Sequence, residues 1–255
     1  MPFSKAISGA GDIIRVAFLA MAVLAAAPSH AGPFEEGLAA YRSGESEKAF
    51  ALMKPLAEQG HLTAQTILGL MYEEGRGVKK DYAEAASWLN RAAAQGQSTA
   101  QLTLGALYST GKGVPQDLAQ AAYWYRVAAE NGNVLAQLNI GRFYSKGQGV
   151  AKDFGAAKYW LELAAEQGNI DAHLTLAGLY HAGDGVERNF VEAEKWYRIA
   201  AEKGDARAQS MLAAMIFIGQ GVQQNADEAV RWYRLSARQG NKTAQEVLTR
   251  LGQTW

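Results

Sequence analysis

The sequence predicts an all-α fold, an α-solenoid of antiparallel helix hairpins with a 36-residue period. Three observations predict it. Trp88, Trp124, Trp160, Trp196 and Trp232 stand 36 residues apart, and so do Gly60, Gly96, Gly132, Gly168, Gly204 and Gly240. Between consecutive glycines lie two stretches whose apolar residues recur at helical spacing. Five units, 60–95, 96–131, 132–167, 168–203 and 204–239, then fit without an insertion. A fixed period in the range of about 20–50 residues marks stacked supersecondary units, each burying its apolar face on the next.

Each unit opens with a first helix carrying one stripe at i, i+4, i+8. The stripe is Ala64, Leu68, Tyr72, then Ala100, Leu104, Tyr108, then Ala136, Ile140, Tyr144, then Ala172, Leu176, Tyr180, and more loosely Ala208, Leu212, Ile216. Beside it sit Gly69, Gly105, Gly141, Ala177 and Ala213. Glycine inside a helix costs about 1 kcal/mol against alanine, so its recurrence predicts a close approach by a neighbouring helix. The loop that follows reads GRGV, GKGV, GQGV, GDGV and GQGV. Paired glycines suit positive φ in a tight reversal. A phosphate cradle would need a strand before the glycines and a helix N-terminus aimed at the ligand, whereas here they follow a helix five times over.

The second helix starts at Asp81, Asp117, Asp153, Asn189 and Asn225, residue types that cap helix N-termini. Glu84, Gln120, Glu192 and Glu228 stand three positions later, which predicts a capping box in four of the five units. These acids therefore have a local structural task. Ala85, Trp88, Ala92 and Ala93 recur in register as the buried face, and the helix ends at a glycine suited to a left-handed C-cap. On a face of small residues one tryptophan per unit is expected to fill the wedge between helices, with Trp160→Ala costing about 3–5 kcal/mol.

The flanks differ. The first 31 residues read as a signal peptide: Lys5 and Arg15 precede an apolar run, Val16 to Ala27, and Ser29-His30-Ala31 supplies small residues for cleavage after Ala31. Twelve apolar residues are too few to span about 30 Å of hydrocarbon, so no integral membrane span is expected. Export makes the protein periplasmic or secreted. Residues 32–59 read as a hairpin with a loop five residues shorter, an N-terminal cap, and 240–255 as a C-terminal capping helix. Formal net charge is zero, which gives no electrostatic case for nucleic acid. The chain has no cysteine, so an exported form is held by packing without disulfides.

The pattern A-x-x-x-L-G-x-x-Y-x-x-G-x-G-V-x-x-D-x-x-x-A-x-x-W-x-x-x-A-A-x-x-G over 60–239 resembles the Sel-one-like repeat, a relative of the tetratricopeptide repeat. Residues 32–59 look closer to a plain tetratricopeptide hairpin. The resemblance implies a right-handed superhelix whose first helices line a concave groove, and an adaptor that holds a protein or peptide. It also implies, for exported bacterial members, roles in envelope regulation, cell-surface assembly or host interaction.

Comparison of the units with one another separates the shared stripe from a variable one beside it. The variable stripe supplies Leu102, Leu138 and Leu174 at one level, Arg142 at the next, and Ser145, His181 and Phe217 with Lys146 near the loop. In related repeats this register faces the groove, and these eight are the candidate partner-binding residues. The leucines have a second reading as packing between units, and the charges as solvated groups.

Enzyme readings find little support. His61 falls in a helix-cap register and His173 where other units carry glutamine; no metal-binding spacing or nucleophile–base pair can be assembled. No cofactor or metal is therefore expected. One branch of the resembled family, secreted and cysteine-rich, is linked to penicillin binding and β-lactam hydrolysis. It makes a cell-wall or β-lactam-acting enzyme the alternative to a scaffold, although this chain lacks that branch's paired cysteines.

Overall fold

The structure is a computed structural model and describes residues 32–255. The signal peptide and its cleavage after Ala31 lie outside the described residues. Among the described residues the chain forms thirteen helices and no strand. It divides into two compact units, one ending at Trp124 and the other beginning at Tyr125, with the boundary inside one helix.

The first unit holds α1 (Pro33–Ser43), α2 (Ser46–Glu58), α3 (Leu62–Glu74), α4 (Tyr82–Ala94), α5 (Ser98–Thr110) and the start of α6 (Leu118–Glu130). The second holds the end of α6, then α7 (Val134–Lys146), α8 (Phe154–Glu166), α9 (Ile170–Ala182) and α10 (Phe190–Glu202). It continues with α11 (Ala206–Ile218), α12 (Ala226–Arg238) and α13 (Lys242–Arg250). From α3 to α12 every helix has 13 residues. Odd-numbered helices are the first helices predicted above, even-numbered ones the second.

Capping explains these regular lengths. Each first helix from α3 to α11 ends at a glycine in the left-handed region, Gly75, Gly111, Gly147, Gly183 and Gly219, whose N–H bonds a carbonyl four residues back. First helices start at His61, Asn133, Asn169, Asp205 and Asn241, whose side chains accept an N–H of the first turn, while Gln97 makes no such bond. Second helices start at Asp81, Asp117, Asp153, Asn189 and Asn225, which accept likewise.

The capping box does not form. Its reciprocal half needs the free N–H of the capping residue, and that N–H is already used to close the hairpin. Asp81, Asp117, Asp153, Asn189 and Asn225 donate it to the carbonyls of Tyr72, Tyr108, Tyr144, Tyr180 and Ile216 at 3.0–3.1 Å. Glu228 instead accepts from Trp232 Nε1 and Arg198. Asn189→Ala is therefore expected to cost about 1 kcal/mol in urea denaturation. Glu192→Ala loses only a surface contact with Lys195, and stability should change by less than about 0.5 kcal/mol.

The core also differs from expectation at the tryptophan. Trp88 is buried, but Trp124, Trp160, Trp196 and Trp232 are half-buried. The side chains that vanish into the hairpin are their C-terminal neighbours: Leu89 and Leu161 are fully buried, and Tyr197 and Tyr233 nearly so. A helix turns by about 100° per residue, so adjacent positions cannot face the same wall. Leu89 and Leu161 press on the recurring glycines; a Cβ on Gly69 or Gly141 would lie 2.6 or 2.7 Å from the leucine Cγ. The tryptophans lie at the joint between hairpins. Trp196, on α10, packs against a buried cluster to which α8 contributes Leu161, Ala164 and Ala165, and α9 contributes Ala172 and Leu176.

Glutamines tie one hairpin to the next. Gln65, Gln101, Gln137, Gln209 and Gln245 donate from a first helix to the carbonyls of Ala57, Ala93, Ala129, Ala201 and Ala237 at the end of the preceding second helix. Gln95, Gln167 and Gln239 in turn donate to the side-chain oxygens of Gln65, Gln137 and Gln209. Each such clasp satisfies a buried amide at both ends.

Candidate partner-binding face

Within the second unit the exposed parts of α7, α9 and α11 form one face, and most of the sequence-predicted candidates belong to it. Leu138 and Ser145 do not reach its surface. Leu138 is 4% exposed, packed with Leu161, Ala165 and Leu176, and Ser145 is 3% exposed with its hydroxyl donating to the Arg142 carbonyl. Leu102, in the first unit, is 5% exposed. All three side chains are buried in this structure, the leucines as their packing reading has it and Ser145 with its hydroxyl turned back on its own helix.

Leu174, Arg142, His181 and Phe217 are half-buried and Lys146 is exposed. Arg142 reaches across from α7 to α9, its Nε 3.3 Å from Thr175 Oγ1. Burial lowers the guanidinium's pKa, opposed by the nearby Asp171 carboxylate. On α9 the Asp171 carboxylate accepts from Arg207 of α11 at 2.8 Å, and Arg207 also bonds Asp205. Burial pushes Asp205 up, but hydrogen bonds from Arg207 and Ala208 outweigh it and hold the carboxyl below its ordinary value. The result is a polar ladder, Arg142–Thr175 and Asp171–Arg207, running across three first helices. Asp171, Thr175 and Arg207 were not picked out by sequence. The available signal was opposite charge at one register, since Asp171 and Arg207 stand 36 residues apart.

Toward the loops the face becomes apolar. Ile218 is 57% exposed beside half-buried Phe217, and His181 sits edge-to-face on Phe190 with ring centroids 5.3 Å apart. Arg142 and Lys146 form no ion pair among the described residues. The exposed Lys146 cation, a polar ladder that includes Arg142 and an exposed isoleucine suit contacts with a polypeptide. Among the described residues no group of three or more His, Asp or Glu is placed to hold a metal ion, and no helix is long and apolar enough to cross a membrane.

Comparison with known proteins places this architecture. The Sel1 repeat family matches at six consecutive segments, 35–61, 62–97, 98–133, 134–169, 170–205 and 206–241. The crystal structure of c5321, a protective antigen of uropathogenic Escherichia coli with an SLR fold, is similar at 34% identity and a TM-score of 0.79. That match covers 92% of this chain but only 50% of the antigen, so the chain spans half the antigen's length. A Sel1 repeat protein of Oxalobacter formigenes is also 34% identical, with a TM-score of 0.77 and 86% and 87% of the two chains covered. No curated protein matches the sequence. Sel1 repeats are generally non-catalytic scaffolds that mediate protein–protein interaction. With six repeats matched and 13-residue helices stacked as hairpins at a constant period, the chain belongs to the Sel1 repeat family.

Proposed function

We propose that this protein is a non-catalytic adaptor of the bacterial envelope, exported by its N-terminal leader, that holds a protein or peptide partner on the α7–α9–α11 face. The observation that carries the reading is the chemistry of that face. It joins exposed Ile218 and half-buried Phe217 to exposed Lys146, which forms no ion pair among the described residues, and to Arg142, which lies near Asp171. A role in regulating a signalling or cell-surface process fits such an adaptor.

Site-specific photo-crosslinking in intact cells tests it. A crosslinker at position 218 is expected to capture a discrete partner that one at exposed Tyr159, on α8, does not. Adding Lys146→Glu should weaken the 218 crosslink severalfold. Capture only at 159 would move the partner to the second helices, and capture at neither would end the adaptor reading. N-terminal sequencing of the protein from the envelope fraction checks export, with residue 32 expected first.

A further inference from the structure

One joint in the second unit is built unlike the others, and it differs at both ends. At the cap end the glutamine clasp is missing. His173 takes the place of the first-helix glutamine and Lys203 that of its partner. His173 Nδ1 bonds the Asn169 carbonyl of its own helix at 2.8 Å and makes no bond to the α8 end, where the other joints have one. At the loop end the close backbone approach is missing. A Cβ on Gly77, Gly113 or Gly221 would meet the backbone oxygen of Ser46, Tyr82 or Phe190 at 2.1–2.2 Å. On Gly185 it would meet only the side chains of Lys152 and Phe154, at 3.5 Å. An exposed ion pair, Lys152–Asp184, spans that gap.

His173 is 4% exposed and lies edge-to-face with Trp196, ring centroids 5.7 Å apart. The Trp196 indole Nε1 is buried without a hydrogen-bond partner, so the pocket already holds one unsatisfied donor. Protonation would add a second N–H donor and a positive charge beside it, against the cost of burying both. The surrounding charges give no relief. Lys203, at the end of α10, is a cation that disfavours the charged ring. Asp171 on α9 is engaged by Arg207 of α11, and Arg142 of α7 by Thr175, while Glu166 at the end of α8 is exposed.

We propose that the joint between the α7–α8 and α9–α10 hairpins is an acid-responsive hinge, loosened when His173 is protonated. Burial, opposed by the bond to Asn169, holds His173 below its ordinary value. The sign follows: the folded joint prefers the neutral ring, so its stability is complete above about pH 6.5 and falls as pH drops below that. The Arg142–Thr175 bond crosses the same joint, so its opening would disrupt the face on which the partner is placed.

Hydrogen exchange at pH 7.5 and 5.5, corrected for intrinsic rates, tests the hinge on the mature protein. In the wild type, amides of α9 and α10 should lose protection severalfold more than those of α11 and α12 on acidification. His173→Gln restores the residue found at the other joints, folds by that precedent, and should abolish the difference. His181→Gln, on the same helix, should leave it intact. No acid-dependent difference in the wild type would overturn the proposal. So would its survival in His173→Gln, or its loss in His181→Gln alone.

Discussion

Gly221→Ala should destabilise the second unit by about 3–5 kcal/mol, combining left-handed strain with a collision against fixed backbone. Its φ is +71°, and the added Cβ would lie 2.1 Å from the Phe190 carbonyl oxygen and 2.3 Å from its carbon. Neither atom belongs to a side chain that could rotate away, so α10 or the loop must move. Gly204→Ala provides the internal comparison. Its φ is +92°, but nothing stands within 4 Å of the new methyl. There only the backbone strain remains, about 1–2 kcal/mol. Urea denaturation of the two variants should separate them clearly, and equal losses would show that the loop does not press on α10.

Leu161→Ala should cost about 3–5 kcal/mol, as expected for a fully buried leucine whose cavity cannot collapse. The cavity would lie beside Gly141 in a cluster that also holds Ala164, Ala165 and Ala172, side chains too short to swing into the space, and Leu138, Leu176 and Leu179, which are held in their own packing. Trp160→Ala, although it removes more atoms, should cost only about 2 kcal/mol because that side chain is half-buried and not enclosed. Calorimetric melting of both variants tests that order. A larger loss at Trp160 would make the tryptophan, and not the leucine, the main filler of the hairpin.

Much of this architecture could be read from the sequence, because identical requirements recur every 36 residues. Left-handed glycines, Asp and Asn caps and the alanine stripe each reflect a backbone or contact constraint that tolerates few residue types. The misreadings share a cause: each depended on which of several neighbours claims a group first. Glu84 and Glu228 have the spacing of a capping box, but hairpin closure takes the N–H they would need. Trp160 and Leu161 are adjacent and both apolar, and only the roll of the helix decides which one faces the glycine. Leu102 and Leu138 fall on the variable stripe and yet are buried in the packing, whereas the ladder residues Asp171 and Arg207 are distinguished only by charge. The proposed face was therefore legible in outline near the loops, where Lys146, His181 and Phe217 reach the surface at least in part, and illegible deeper in the stack.

The side-chain bonds that link neighbouring hairpins reach only about one repeat along the chain: 35 residues for Arg76–Tyr41, 33 for Arg142–Thr175, 36 for Arg207–Asp171 and 35 for Gln239–Gly204. Such a protein has no keystone. Each hairpin is judged only by its two neighbours, so whole repeats can be excised or duplicated in multiples of 36 without orphaning a distant partner, and the reach of the scaffold becomes a quantity that inheritance adjusts by counting.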